Sequence, residues 1–71
     1  MKLINNKYVE FERGTINMDN VIYIEVNQDD DNKTDFVFVN DSVISVHKKY
    51  KDVLNILKNG SIDNDKQNLR L

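Results

Sequence analysis

The sequence predicts an α+β fold: an antiparallel four- to five-stranded β-meander followed by one C-terminal α-helix packed on one face. Two observations support this prediction. Apolar and polar residues alternate with period two through residue 46, and at residue 47 the period becomes that of a helix. The 71 residues suffice for one hydrophobic core. We therefore expect one domain over residues 1–60 and a polar, flexible tail over residues 61–71.

The first strands are separated by residues that favour turns. Asn5 and Asn6 follow a short apolar segment, and asparagine tolerates the left-handed backbone of a tight hairpin turn. Residues 7–12 then alternate between apolar and polar. Gly14 ends this run, because glycine permits a bulge or a positive φ. The sequence therefore predicts a hairpin followed by a break.

Residues 15–20 indicate a short strand that ends in an elbow, where Asn17 and Asp19 can bond the backbone two residues on. Residues 21–26 form the clearest strand pattern. Its alternation places Ile22, Ile24 and Val26 on one face and Val21, Tyr23 and Glu25 on the other.

The next hairpin begins after a polar connector, residues 27–34. Residues 35–39 are apolar on both faces, which is typical of a central strand or of one whose outer face is covered. Asn40 and Asp41 predict a tight turn, and residues 42–46 pair back.

The closing helix is indicated by an apolar stripe at i, i+3, i+4 and i+7 and by a glycine suited to ending it. The stripe consists of Tyr50, Val53, Leu54 and Leu57, and the glycine is Gly60.

Composition excludes several classes of protein. The chain has no cysteine, so disulfides and thiolate metal clusters are impossible. No stretch resembles a membrane span or a signal peptide, so we expect a cytoplasmic protein. The abundance of Asn, Lys and Ile suggests a low-G+C bacterium or one of its phages.

The charges are unevenly distributed along the chain. Residues 1–46 hold four basic and nine acidic groups, a balance of −5, and residues 47–71 hold six basic and three acidic groups, a balance of +3. Such a polarity can steer partners or favour self-association.

The sequence gives little support for enzyme activity. The acidic run Asp29–Asp31 could attract a cation, but the spacing departs from an EF-hand loop, and a solvated hairpin loop is the simpler interpretation. His47 is the single histidine, and the serines near it show no nucleophile-elbow pattern. The two glycines cannot form a phosphate-binding loop. We expect no catalytic residue, cofactor or metal.

Two surfaces remain as candidates for binding. One helix covers only part of one sheet face, so apolar residues can stay exposed on the second face, and that face, or else an edge strand, would mark a protein interface. Those residues are Val21, Tyr23, Val37 and Val39. In the other reading of this face, sheet curvature and the tail residues Ile62, Leu69 and Leu71 cover it within one chain. The alternative to a protein interface is a nucleic-acid-binding helix face made of Lys48, Lys49, Lys51 and Lys58.

A known layout is matched by residues 16–25, 36–39 and 43–46, by the turn at Asn40 and by the helix through Leu57. In this layout the chain resembles the small FlbD/SwrD-like proteins of bacterial flagellar operons. The resemblance covers roughly residues 2 to 58 and implies a non-enzymatic accessory to motility. The long acidic connector and the basic entry to the helix at His47 depart from that pattern, and small phage proteins share the layout. The sequence therefore predicts a small regulatory or accessory protein that acts through protein–protein contact and self-associates, with nucleic-acid binding as the alternative.

Overall fold

The computed structural model describes residues 1–59, which form six strands, one 3-10 turn and one helix. The strands are β1 (Lys2–Ile4), β2 (Tyr8–Phe11), β3 (Gly14–Asn17), β4 (Val21–Val26), β5 (Thr34–Phe38) and β6 (Val43–Val46), and the helix is α1 (Tyr50–Asn59). They build two antiparallel three-stranded sheets, β1-β2-β3 and β4-β5-β6. The α+β class and the C-terminal helix are confirmed. The single four- to five-stranded meander is not confirmed, because the meander is divided between β3 and β4.

The first sheet is held by short connections. Asn5 and Asn6 have φ of 56° and 57°, and the Lys7 N–H donates to the Ile4 carbonyl at 3.1 Å. This is the left-handed turn that the two asparagines predict. In the next pairing Val9 lies opposite Ile16, and both side chains are buried.

The division between the sheets is a 3-10 turn, Met18–Asn20. The Asn17 side-chain oxygen caps it by accepting from the Asp19 N–H at 3.0 Å, as the predicted elbow requires. The Met18 N–H donates to the Lys7 carbonyl at 2.8 Å, and the Val39 N–H donates to the Asn20 carbonyl at 2.9 Å. The turn is therefore tied to both sheets, and it redirects the chain so that β4 pairs with β5 instead of β3.

The second sheet contains a β-bulge in β4. Val21 lies opposite Phe38, and Tyr23 lies opposite the adjacent Val37, so Ile22 is the extra residue. At the other end, β5 and β6 are joined by a turn in which Asp41 has φ 70° and donates its N–H to the Phe38 carbonyl at 2.9 Å. The turn predicted at Asn40 and Asp41 is thus present.

The core collects side chains from both sheets and the helix. Its fully or almost fully buried members are Val9, Ile16, Phe36, Val46 and Val53. On the helix, the two buried residues are Val53 and Ile56. The predicted stripe includes the first of these but omits the second, and its Leu54 and Leu57 are only half-buried.

One buried polar contact joins the second sheet to the entry of the helix. Thr34, expected in the polar connector, begins β5 and is fully buried. Its hydroxyl donates to the Lys48 carbonyl at 2.7 Å, which satisfies its hydrogen-bonding requirement. The predictions for Gly60 and for the tail over residues 61–71 lie outside the described residues.

Candidate protein-binding face

The second sheet has an apolar row on the face that points away from the core. The pairing of β4, β5 and β6 places Tyr23 beside Val37 and Val37 beside Val43. The next row, Ile24–Phe36–Ile44, belongs to the core or packs against it. Because side chains alternate between the faces of a sheet, the row through Val37 lies on the opposite, outer face.

The outer members of this row are open to solvent. Tyr23 is 50% exposed and Val43 is 52% exposed, and Val37 between them retains 9%. Val39, just after β5, is 64% exposed, and Ile22 beside Tyr23 is 56% exposed. We call these five residues the outer apolar patch.

The patch differs from the predicted face by the loss of Val21 and the gain of Ile22 and Val43. The bulge at Ile22 shifts the alternation of β4, so that Val21 packs against the core and Ile22 reaches solvent. Val37 is buried because it occupies the central strand, with Tyr23 on one side and Val43 on the other. Of the four residues predicted for this face, Tyr23 and Val39 are therefore the exposed ones. Val43 and Ile22 are additions that the sequence pattern does not give.

A polar row borders the patch. Glu25 lies opposite Asp35, and Asp35 lies opposite Ser45. The Ser45 hydroxyl donates to Asp35 Oδ1 at 2.5 Å, and Asn27 Nδ2 donates to the same oxygen at 2.9 Å. These contacts hold the Asp35 carboxylate in place, so the outer face has an apolar centre and an acidic border.

The acidic connector is organised by its own hydrogen bonds. Asn27 Oδ1 accepts from the N–H groups of Asp29 and Asp30, each at 2.9 Å, and Asp30 Oδ1 accepts from the Asn32 N–H at 2.9 Å. Within residues 1–59, no three acidic, histidine or cysteine side chains are grouped so as to hold a metal ion. The Asp29–Asp31 run therefore has the geometry of a hairpin loop.

The four predicted lysines do not share one helix face. Lys51 and Lys58 are exposed residues of α1, seven positions apart, which places them on the same side. Lys48 and Lys49 precede the helix, and Lys48 is half-buried, with its carbonyl accepting from Thr34. The structure thus divides the lysine set into a pair on the helix and a pair in the segment leading into it.

The serines near His47 have other hydrogen-bond partners. The Ser42 hydroxyl donates to Asn40 Oδ1 at 2.6 Å, and the Ser45 hydroxyl donates to Asp35. Neither contact is with the His47 imidazole, so the arrangement needed to activate a serine nucleophile is not formed by these groups.

No helix in the described part of the chain is long and apolar enough to span a membrane. Comparison with known protein families, with curated proteins and with solved structures finds no match for this chain. The similarity to FlbD/SwrD-like proteins accordingly stays a prediction from the sequence.

Proposed function

We propose that this is a non-enzymatic binding protein that acts through protein–protein contact, and that it associates with itself through the outer apolar patch. The observation that supports the proposal is the row Tyr23–Val37–Val43, whose outer members are half exposed on a face that no described element covers. Contiguous apolar surface of this kind commonly marks an interaction site.

The size of the patch suits the centre of an interface. Four of its five side chains are at least half exposed, and together they offer apolar surface on the order of a few hundred Å², the size of patches that mark interaction sites. A stable interface buries about 800 Å² on each partner and has an apolar centre and a polar rim. The patch can supply that centre, and the border at Glu25 and Asp35 can supply part of the rim.

The proposal is tested by the oligomeric state of paired variants. Tyr23→Ser combined with Val39→Ser removes apolar contact area from two exposed positions, so the fold should remain intact. Tyr8→Ser, on the other sheet and 36% exposed, is the matched control. Light scattering after size exclusion should show an oligomer for the original chain and the control, and a monomer for the double variant.

The salt dependence of the oligomer gives a second readout. An apolar interface should persist or strengthen as salt rises, whereas association of the acidic and basic halves of the chain should weaken. A monomeric original chain at high protein concentration would refute self-association. An oligomer that survives the double substitution would refute the assignment of this face.

A further inference from the structure

β6 is an edge strand of the second sheet. It pairs with β5 on one side, and no other strand among residues 1–59 pairs with its remaining side. The other edge, β4, is interrupted by the bulge at Ile22, which hinders the addition of a further strand. β6 keeps a continuous register from Val43 to Val46. It is therefore the edge of this sheet that is better suited to accept another strand.

A groove lies along β6. On one side it is lined by Val43, Ile44 and Ser45, and Phe11 and Arg13 of the first sheet's second hairpin also line it. Its volume is about 550 Å³. A smaller cavity of about 320 Å³ shares Phe11 and His47 with it and extends the depression along Val46. The free edge of β6 is thus flanked by a groove that has an apolar wall.

The groove is lined mainly by positive charges, whereas the chain as a whole is negative. Arg13 and Lys33 line the larger cavity, and Lys48 lines the smaller one, where Glu12 is the single carboxylate. In the part of the chain that the structure describes, the ion pair present joins Lys7 to Asp19, so none of these three cations is neutralised by one. The net charge of the chain is −2. The cations therefore create a local positive potential beside the free edge.

We propose that this groove binds an extended, acidic segment of another protein, which adds to β6 as a fourth strand. The free backbone groups of β6 would supply the hydrogen bonds of the added strand. Phe11 and Val43 would contact its apolar side chains, and Arg13 and Lys33 would attract its carboxylates. β6 has four residues, and at about 3.3 Å per residue it matches a bound segment about 13 Å long.

A direct test uses two synthetic hexapeptides, one alternating valine with glutamate and the other alternating valine with lysine. Each is titrated to millimolar concentration into the ¹⁵N-labelled full chain while amide chemical shifts are followed. We expect the glutamate peptide to shift the amides of residues 43–46 and of Arg13, and to bind at least about tenfold more tightly than the lysine peptide.

Two charge-reversal variants separate this groove from general electrostatics. Arg13→Glu should weaken binding of the glutamate peptide about fivefold or more, because Arg13 lines the groove and the substitution reverses its charge. Lys51→Glu makes the same change in net charge at an exposed helix position and should leave binding nearly unchanged. Equal weakening by the two variants would overturn the site, as would equal binding of the two peptides.

Strand addition has its own control. A glutamate peptide methylated on all its backbone nitrogens has no N–H to donate from either edge, so it cannot form the ladder hydrogen bonds and should lose binding. Undiminished binding of that peptide would overturn strand addition, and the absence of shifts at β6 at millimolar peptide would overturn the groove. Val43 belongs to both the outer apolar patch and the groove, so the titration is repeated on the chain that carries Tyr23→Ser and Val39→Ser. Peptide binding by that variant should persist whether or not the original chain self-associates.

Discussion

The hydrogen bond from Thr34 to Lys48 gives a sharp test of how the second sheet holds the entry to α1. Thr34→Val keeps the β-branched shape of the side chain but removes the hydroxyl that donates to the Lys48 carbonyl at 2.7 Å. Thr34 is fully buried, so water cannot replace the lost donor at that position without a rearrangement.

The expected magnitude follows from two opposing effects. Removing the donor to a partly buried carbonyl costs about 2 kcal/mol, and burying a methyl group in place of the hydroxyl returns somewhat less than about 1 kcal/mol. We therefore expect the free energy of unfolding to fall by about 1 kcal/mol. In a domain of this size, that lowers Tm by about 4–8 °C.

Thermal and urea denaturation followed by circular dichroism measure this change. The matched control is Thr15→Val, because Thr15 is exposed on β3 and is the other threonine of the chain. The control should shift stability by less than about 0.5 kcal/mol. If Thr34→Val proved as stable as the original chain, or more stable, the hydroxyl would not be a net stabilising contact and the reasoning would be wrong.

Three further predictions concern the core, a turn and a surface ion pair. Val53→Ala should cost about 2 kcal/mol in urea denaturation, because it leaves a cavity in the core, whereas Val39→Ala at an exposed position should cost far less. Asn6→Val should lower stability by about 1 kcal/mol or more and Asn6→Gly should be tolerated, because Asn6 has φ 57°; thermal melts of the two variants make the comparison. The Asp19 carboxylate raises the pKa of Lys7, first by accepting its hydrogen bond and then by charge attraction. Because the pKa of Lys7 is raised in the folded chain, the ion pair contributes stability below the ordinary lysine pKa, and this contribution is lost as pH rises through the folded pKa. Asp19→Asn should therefore remove this alkaline fall from the profile of Tm against pH.

The local features of the fold could be predicted because they depend on single residues and short periods. Asn5 and Asn6 predict the first turn through their tolerance of left-handed backbone, and Asn17 predicts the elbow through its side-chain oxygen. The division into two sheets could not be predicted, because it depends on where the chain leaves the elbow and which strand β4 then meets. That choice is made by contacts between residues far apart in sequence, such as the bond from the Val39 N–H to the Asn20 carbonyl.

The candidate site shows the same limit. Strict alternation places Val21 and Tyr23 on one face, and a single extra residue at Ile22 separates them. The bulge is a property of the β4–β5 pairing, and β4 contains no glycine that would indicate it. A two-residue turn at Asn40 and Asp41 would pair Val43 with Phe38, whereas the observed hairpin pairs Val43 with Val37, so the predicted register does not place Val43 on this face. The groove beside β6 has no sequence signal, because Phe11 and Arg13 come from a different sheet.

The strand pairings have a consequence for how the chain folds. Each described strand pairs only with the strand before or after it, so each sheet forms from one continuous segment, residues 2–17 or 21–46. Closing such short loops is fast, and hairpins of this kind form in about 1–10 μs. Neither segment contains a complete core, since Val9 and Ile16 come from one and Phe36 and Val46 from the other. We therefore expect the docking of the two meanders, neither of which is stable alone, to limit the folding rate. The helix residue Val53 would join the core as the two meanders dock.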